Sequence, residues 1–430
     1  MIFKSEQVAA QWDTWCYHHA GTWYLYYLIT ESSAGEGFGV ATSADGVHWE
    51  DHGWAIRASD DMVRYLGTGS VWRDPAADGR FLCNYSEWRP DDEGEPRQNI
   101  LFAWSEDLLQ WHKFGDPHLF AIDEGLYERY GRWDCINTLP RAAGGYRGTW
   151  TATPIGRRAG LRGGIGIGIS DDGVHWRALP PAAVRPDADE SGAMVEIGDT
   201  LHAMFGRDHT MTAYTAQHFA GPYRMARKNP LLLARNHAYF SRTFTVGGEV
   251  LVNHHAMDGR RVASGRVITY AAPFKRFSVD EERVQRWRWW PGNEALRGSE
   301  ADPAAPHSLA HGLILELTLD LEAAPRVALE VDGRPYLVAV HRDARVEFST
   351  DAPGLDWQRR HGVDRQLGLG SEAACRILVR RGMLELYLDD HFMECWTMGC
   401  AEATTVRLDP AAMAGGAGAR AWSMDLPEAG

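Results

Sequence analysis

Three carboxylates in this sequence each stand at the start of an apolar, strand-like segment. Asp13 and Asp134 follow a tryptophan ahead of such a segment, and Glu190 opens the run ESGAMVEI. When carboxylates are crowded together beside indole rings, burial and mutual repulsion push their pKa values apart. One acid that stays ionised and one that stays protonated are what glycoside hydrolysis requires. Taken singly, each acid could instead be a solvated turn residue, so their role depends on whether the fold brings them together.

Five hairpins that recur along residues 1–285 are the elements that would do so. Each joins an apolar strand to an aromatic-rich strand through a turn that contains glycine, which is a β-hairpin pattern. Successive copies are about 50 to 65 residues apart, and a four-stranded propeller blade takes about 40 to 50 residues. No long amphipathic helix interrupts them, so the repeat predicts an all-β fold with a five-bladed β-propeller. The copies are WDTWCYHHAGTWYLYYLIT, GSVWRDPAADGRFLCNYSEW, WDCINTLPRAAGGYRGTWTATP, ESGAMVEIGDTLHAMFGR and YFSRTFTVGGEVLVNHHA.

The innermost strand of every propeller blade runs along the central channel, and one end of that channel forms a pocket. Residues at the start of each inner strand should therefore converge there. In chain order these residues are Asp13, Gly69 and Ser70, Asp134, Glu190, and Tyr239 with Ser241.

A second repeat marks a turn that three blades share. SADGVHWE, SEDLLQWHKF and SDDGVHWRAL each carry a serine, an acidic residue and a tryptophan six positions after the serine. This repetition indicates that Trp49, Trp111 and Trp176 pack the blades. It also gives a structural reading to GGIGIGIS at 163–170, where the glycines lie in a strand that leads to the shared turn and not in a nucleotide-binding loop.

The hairpin repeat stops after residue 285. The segment 286–307 collects Pro, Gly, Ala and charge without periodicity and is predicted to be a linker. Beyond it, short alternating strands such as LILELTLDL and RVALEVDG follow one another closely. Regularly spaced short strands of this kind predict a β-sandwich over residues 308–430.

Five hairpins with an Asp, Asp, Glu set in blades one, three and four, followed by a β-sandwich, resemble the five-bladed propeller glycosidases of families 32, 68 and 43. The sandwich is similar to that of family 32 at RILVRRGMLELYLDDHFMECWTM. Family 32 carries its acids in Trp-Met-Asn-Asp-Pro-Asn-Gly, Arg-Asp-Pro and Glu-Cys motifs, where this chain has QWDTW, GRWDC and ESG. The ESG motif is nearer to the Glu-Gly-Pro of family 43.

The resemblance implies a glycoside hydrolase that cleaves a furanosidic bond, either a fructofuranoside or an arabinofuranoside. Asp13 would be the nucleophile, Asp134 the transition-state stabiliser and Glu190 the acid/base. If the enzyme inverts, as family 43 members do, Asp13 would instead act as a base. Glu196, a rival acid later on the same strand as Glu190, is expected to face solvent.

Further residues near the same strand ends are candidates for binding an oligosaccharide or small glycoside. Gly69 and Ser70 match a small-residue position that admits the sugar in the family. Arg132 could hold Asp134 ionised. For each tryptophan in the set, packing between blades is the competing interpretation. The remaining candidates are Trp12, Trp15, Trp72, Trp133, His237, Tyr239 and Arg242.

Two other functions fit the same residues. A glycoside phosphorylase of the five-bladed kind would need a cationic cluster for phosphate, for which Arg207, His209, Arg235 and His237 are available. A carbohydrate-binding propeller without catalysis would not need the three acids to converge.

Composition narrows the remaining classes of function. Forty-four Lys and Arg against 58 Asp and Glu give a net charge of −14, which disfavours nucleic acid as a partner. No apolar run approaches the roughly 18 residues of a membrane span. Six scattered cysteines offer no zinc spacing, and the adjacent histidine pairs lie in strands, so no metal or cofactor is expected. Without a signal-peptide pattern the expected location is the cytoplasm, and no oligomeric state is indicated.

Overall fold

The computed structural model describes residues 1–32, 35–63, 66–157, 160, 163–207, 210–233, 238–263, 265–350, 361–400, 403–411 and 413–428. In these residues the regular structure is almost entirely β-strand. The helices found there are short 3-10 turns at Asp116–His118, Pro291–Leu296 and Leu321–Ala323. None of these described helices is long and apolar enough to cross a membrane.

Five groups of hydrogen-bonded strands in the first part of the chain form the blades of the propeller, which confirms the five-hairpin prediction. In each blade the predicted hairpin forms the inner strand and the antiparallel strand paired with it. Blade 1 contains β1 (Ala10–His19), β2 (Thr22–Ser32), β3 (Gly35–Ser43) and β4 (Glu50–Arg57). Blade 2 contains β5 (Leu66–Arg73), β6 (Phe81–Pro90), β7 (Pro96–Ser105) and β8 (His112–Lys113). Blade 3 contains β9 (Trp133–Pro140), β10 (Tyr146–Ala152), β11 (Gly164–Ser170) and β12 (Trp176–Leu179).

The last two blades carry extra short strands. Blade 4 contains β13 (Val184–Arg185), β14 (Glu190–Ile197), β15 (Thr200–Arg207), β16 (Thr210–Ala216), β17 (Tyr223–Met225) and β18 (Leu231–Leu233). Blade 5 contains β19 (Ala238–Val246), β20 (Glu249–Arg261), β21 (Val267–Ala271), β22 (Lys275–Val279) and β23 (Gln285–Trp289).

The shared turn has the same hydrogen bonds in blades 1, 2 and 3, as its repetition predicts. In blade 1 the Ser43 hydroxyl donates to Asp45, and Asp45 Oδ1 accepts the backbone N–H groups of Val47 and His48 at 2.8 and 2.9 Å. Equivalent bonds form around Asp107 and Asp172. Each turn thereby satisfies backbone donors that the strands cannot.

The predicted linker at 286–307 is wrong, because most of it is regular structure. The alternation in RWRWW forms β23, the outer strand of blade 5, and it buries Trp287 and Trp289 at 3% and 5% exposure. The propeller therefore extends to residue 289. The 3-10 helix Pro291–Leu296 leads directly into the first strand of the second domain.

Two packed sheets form that second domain, a β-sandwich as predicted. Strands β24 to β30 are Arg297–Ala301, His307–Ser308, Leu313–Asp320, Arg326–Val331, Arg334–Val340, Val346–Thr350 and His361–Val363. Strands β31 to β35 are Glu372–Arg380, Met383–Leu388, His391–Thr397, Thr405–Leu408 and Gly416–Met424. One sheet has the order β33-β32-β31-β26-β35-β24 and the other β25-β34-β27-β28-β29-β30. The first sheet continues into blade 5 through the pairing of Arg288 with His391.

Some hydrophobic clusters lie within one domain, and another is shared by the two domains. One cluster lies between the two sheets of the sandwich and includes Leu317, Leu329 and Trp396. Another joins blades 1, 4 and 5 to the sandwich, where Phe392 and Tyr387 lie in the same cluster as Trp287 and Trp289. The propeller is therefore packed against the sandwich through residues of blades 1, 4 and 5.

Candidate active site

The structure brings all three predicted acids to one pocket of about 370 Å³. Asp13, Asp134 and Glu190 line it from β1, β9 and β14, together with Arg132 and Tyr239. These residues lie at or near the starts of the inner strands of four blades. The pocket is therefore one end of the central channel.

Every inner strand is interrupted by a β-bulge near this pocket. The bulged positions are residues 13–14, 69–70, 135–136, 192 and 240. A bulge inserts an extra residue, bends the strand and re-aims its side chains. Asp13, Cys135 and Phe240 reach positive φ angles of 41°, 43° and 52° there, a conformation that side-chain-bearing residues rarely adopt. The bulges therefore turn pocket residues away from the regular in-and-out alternation of a strand.

Neighbouring blades supply hydrogen bonds to the backbone groups at the bulges. Asn84 in β6 accepts from Ile136 N at 2.7 Å and donates to Ile136 O at 2.9 Å, which joins blade 2 to the bulge of blade 3. His255 in β20 accepts from Thr14 N at 2.9 Å, which joins blade 5 to the bulge of blade 1. The Thr151 hydroxyl likewise accepts from the backbone N–H of Ser191 at 2.9 Å.

Asp134 accepts hydrogen bonds at both of its carboxylate oxygens. Its Oδ1 accepts from the Ser86 hydroxyl and from the Cys135 thiol, the latter at 3.0 Å, and its Oδ2 pairs with Arg132 at 2.8 Å. Burial alone would raise the pKa of this carboxyl, but Arg132 and the two side-chain donors outweigh burial and lower it to about 2. Asp134 is therefore an anion at neutral pH.

Glu190 shares the same guanidinium with Asp134. Arg132 Nη2 lies 3.3 Å from Glu190 Oε1 and 2.8 Å from Asp134 Oδ2, so these two oxygens are no more than about 6 Å apart. Burial raises the pKa of Glu190, and the charge of Asp134 raises it further, while Arg132 lowers it. The two neighbouring acids thus titrate in opposite directions from their ordinary values.

Burial also dominates the titration of Asp13. It raises the pKa of this carboxyl to about 7, with Asp134 and Glu190 adding to the shift and Arg242 opposing it. Asp13 therefore exchanges its proton near neutrality, in the range where an acid, a base or a nucleophile can act.

Aromatic rings form one wall of the pocket beside the acids. Trp12 and Tyr239 stack with their ring centroids 6.3 Å apart, and Phe240 lies next to them. The Arg242 guanidinium sits 3.9 Å above the Phe240 ring and donates to the carbonyl oxygen of Gly192 at 2.6 Å. The Arg242 side chain is buried and lies between the pocket and the rest of the channel. Such a wall, with polar groups opposite, suits a sugar ring, which has apolar faces and hydroxyl edges.

Four other predicted binding residues lie away from the acid pocket. Trp133 is fully buried between blade elements, with ring centroids 5.0 Å from those of Phe120 and Trp150, and its indole N–H donates to Phe120 O. Trp15, Ser70 and Trp72 line a second cavity of about 630 Å³ further along the inner strands. None of the four lies on the wall of the acid pocket, because the three tryptophans belong to hydrophobic clusters between the blades and the Ser70 hydroxyl donates to Ile136 O of blade 3 at 2.7 Å.

Gly69 makes room inside the fold, not for a ligand. A Cβ on this residue would lie 1.8 Å from Asn84 Oδ1, so glycine is needed where Asn84 crosses to blade 3. The position that admits an acid is Gly67, where a Cβ would lie 2.5 Å from Asp134 Oδ1. The sequence predicts that Gly69 admits a sugar, whereas Gly69 is not among the residues that line the acid pocket.

His237, His209 and Arg235 lie outside the described residues. In the described part of the chain, no group of three or more His, Cys, Asp or Glu side chains is arranged to hold a metal ion.

Sequence reasoning missed the groups that surround Asp134. Ser86 and Gln98 are fully buried polar residues on β6 and β7, and Cys135 follows Asp134 directly. The first two carry no distinctive signal, since β6 also contains Asn84 and Glu87 and Gln98 lies between Arg97 and Asn99. Arg266 and Val267, which also line the pocket, are the residue before β21 and its first residue, and no motif marks them.

The fold is that of family 32 glycosidases. No protein-family model matches the chain, and no curated protein sequence matches it. Among solved structures, the family 32 β-fructofuranosidase of Bombyx mori is similar, with a TM-score of 0.75 and 12% identity, over 97% of this chain and 92% of that one. The exo-inulinase of Aspergillus awamori matches with a TM-score of 0.73 and 12% identity, over 99% and 97% of the two chains. A fructofuranosidase of Schwanniomyces occidentalis, complexed with fructosylnystose, matches with a TM-score of 0.67 and 12% identity, over 98% and 96%.

Proposed function

We propose that the protein is a glycoside hydrolase that cleaves a furanosidic bond in a fructofuranoside or an arabinofuranoside. The observation that carries the proposal is the meeting of Asp13, Asp134 and Glu190 in one pocket with their pKa values shifted in different directions. The similarity in fold to proteins named as fructofuranosidases and an exo-inulinase supports a furanoside as substrate.

Each acid has an environment that suits one step of glycoside cleavage. Glu190, with its raised pKa, holds its proton to a higher pH than an ordinary glutamate and suits the role of donor to the leaving oxygen. Asp134 stays negative and can stabilise the positive charge that develops at the anomeric carbon, while it accepts hydrogen bonds from sugar hydroxyls. Asp13 in its ionised form attacks the anomeric carbon, or removes a proton from the attacking water if the reaction inverts.

Hydrolysis of sucrose, short inulin-type fructans and nitrophenyl arabinofuranosides by wild type and variants tests this function. We expect Asp13→Asn and Glu190→Gln to lower kcat by roughly 10³-fold or more, because each removes a group that exchanges a proton or attacks in the rate-determining steps. Glu196→Gln is the matched control. It changes an acid on the same strand as Glu190 that is exposed, pairs with Arg147 and lies outside the pocket.

Equal activity of wild type, Asp13→Asn and Glu190→Gln would refute the assignment of these acids. A strict requirement for phosphate would replace hydrolysis by phosphorolysis. On whichever substrate is cleaved, proton NMR of the first-formed anomer separates a covalent intermediate on Asp13 from direct attack by water.

A further inference from the structure

A buried chain of hydrogen bonds runs through blade 2 to Asp134. The backbone N–H of Trp133 donates to Gln98 Oε1 at 3.0 Å, and Gln98 Nε2 donates to Ser86 Oγ at 3.2 Å. Ser86 in turn donates to Asp134 Oδ1. Gln98, Ser86 and Trp133 are all fully buried.

The backbone N–H of Trp133 fixes the direction of every hydrogen bond in this series. A backbone N–H can only donate, so the carbonyl oxygen of Gln98 must face Trp133 and its NH₂ must face Ser86. Ser86 therefore receives a hydrogen from Gln98 and directs its own single hydrogen to the carboxylate. The bond from Gln98 thus holds Ser86 as a donor to Asp134.

Cys135 is a second donor to the same oxygen. Its Sγ lies 3.0 Å from Asp134 Oδ1 and 3.5 Å from Ser86 Oγ. The positive φ of 43° at Cys135, part of the bulge in β9, turns the thiol back towards the preceding residue. Burial and the charge of Asp134 raise the pKa of the thiol well above its usual range, so it keeps its hydrogen and donates it.

Gly67 leaves the space that these groups occupy. A Cβ at this position would lie 2.5 Å from Asp134 Oδ1, 2.6 Å from Ser86 Oγ and 3.0 Å from Cys135 Sγ. Three polar atoms thus meet at one point that only a glycine in β5 can face.

We propose that Gln98, Ser86 and Cys135, beneath Gly67, form a cradle whose donors converge on Oδ1 of Asp134, and that these four are positioning residues for that carboxylate. The donors of the cradle contact Oδ1, whereas Oδ2 faces Arg132 and the pocket. This inference rests on the proposed function for its kinetic consequence, whereas the contacts themselves do not depend on it.

Other charged groups also face Asp134 and must stay constant in any test. Arg132 precedes it on blade 3, while Asp13 from blade 1, Glu190 from blade 4 and Arg242 from blade 5 interact with it across the pocket. The test therefore changes only neutral side chains.

The experiment compares Ser86→Ala, Cys135→Ala and Cys135→Ser with wild type in kinetics and in urea unfolding at pH 3 to 7. Cys83→Ala is the matched control, because it removes a buried thiol from β6 that contacts no pocket acid. We expect each alanine variant to lower kcat about tenfold with little change in KM, since a hydrogen bond to a charged group is lost. Cys135→Ser retains a donor and should recover most of the activity.

Unfolding gives a readout that does not require a substrate. Asp134 has a lowered folded-state pKa, so its stabilisation is present above the ordinary carboxyl range and is lost as the pH falls towards about 2. The deficit of Ser86→Ala relative to wild type should therefore be largest at pH 6 to 7 and should narrow by pH 3. For Cys83→Ala the deficit should not vary with pH.

A deficit of Ser86→Ala and Cys135→Ala that is the same at pH 3 and pH 7 would overturn the cradle, even if the protein is a hydrolase. Conversely, absence of any cleaved furanoside would remove the proposed function while the unfolding profile still decides the cradle. If Ser86→Ala does not fold, the comparison of Cys135→Ala with Cys135→Ser decides it in the same way.

Discussion

The three pocket acids are chemically alike, and their neighbours make them different. Asp134 faces a guanidinium and two side-chain donors, so its carboxylate is stabilised. Asp13 has its pKa raised to about 7 because burial and two neighbouring carboxylates outweigh Arg242. The stability of the folded chain should therefore depend on these two residues in opposite ways.

Asp13→Asn should stabilise the protein at pH 8 while it abolishes activity. A folded-state pKa raised above the unfolded value means that stability falls as the pH rises from about 4 to about 7, since only the unfolded chain readily loses the proton there. The neutral amide has no such penalty, so we expect the melting temperature to rise by about 3 °C at pH 8 and to be unchanged at pH 4.

Asp134→Asn is the matched comparison, from the same pocket and of the same chemical type. Because the pKa of Asp134 is lowered, its replacement should reduce the melting temperature at pH 8. Scanning calorimetry of both variants at the two pH values measures the signs. A fall in melting temperature for Asp13→Asn at pH 8 would show that its carboxylate is better stabilised than its burial indicates.

At this scale the sequence predicts the acids and not their partners. Asp13, Asp134 and Glu190 share one position in a repeated pattern, so comparison of the copies reveals them. Ser86 and Gly67 reach Asp134 only through contacts between blades, and these contacts are separated by tens of residues along the chain. Nothing in the local pattern of β5 or β6 indicates which polar residue will face which acid.

At the scale of strands, the sequence pattern does not reveal the β-bulges. The alternation of apolar and polar residues predicts where each hairpin lies, and it is confirmed in all five blades. A bulge adds one residue and shifts every later side chain to the other face. Trp15 and Trp72 follow the bulges of their strands and Ser70 lies within one, and all three line the second cavity and not the pocket.

Asn84 makes two hydrogen bonds to the bulge of the neighbouring blade, and its loss should be costly. Asn84→Ala would leave the backbone N–H of Ile136 without its buried acceptor, 2.7 Å away in the wild type, whereas Ile136 O keeps the Ser70 hydroxyl as a donor. An unsatisfied buried group costs about 1–3 kcal/mol, so we expect the free energy of unfolding to fall by about that amount.

Asn99→Ala is the control, because Asn99 is also a buried asparagine of blade 2 but donates only to the local carbonyl oxygen of Arg97, at 3.3 Å. Urea unfolding of the two variants measures the difference. A loss for Asn84→Ala no larger than that for Asn99→Ala would mean that water or a shifted backbone replaces the link to blade 3.

At the scale of the molecule, the boundary between propeller and sandwich is not a linker but a packed joint. The sequence of 286–307 is rich in Pro, Gly and Ala, and composition alone suggested a flexible connection. The two tryptophans of β23 make the connection a packed interface, because they belong to the hydrophobic cluster that blade 5 shares with Tyr387 and Phe392 of the sandwich. The joint depends on pairs of residues about 100 positions apart, which composition within one segment does not reveal.

Arg365 makes buried polar contacts across this joint between propeller and sandwich. Its guanidinium, 3% exposed, donates from the sandwich to the carbonyl oxygens of Leu231 and Leu232 on blade 4, the latter at 2.9 Å. It also donates to Met393 O and lies 3.6 Å from the buried carboxylate of Glu394. The Arg365 side chain thus donates to carbonyl groups of both domains and lies beside the Glu394 carboxyl group.

Arg365→Met should therefore destabilise the chain by about 3–5 kcal/mol, since it removes both the buried cation 3.6 Å from the Glu394 carboxyl group and the donor to Leu232 O. The double variant Arg365→Met with Glu394→Gln replaces the acid of this pair by a neutral amide and should recover part of the loss. Arg407→Ala breaks an exposed pair with Glu330 and should cost less than about 1 kcal/mol. Urea unfolding orders the three variants, and an Arg365→Met as stable as Arg407→Ala would contradict the joint. If both domains then unfold in separate transitions, Arg365 is also what makes the propeller and sandwich one cooperative unit.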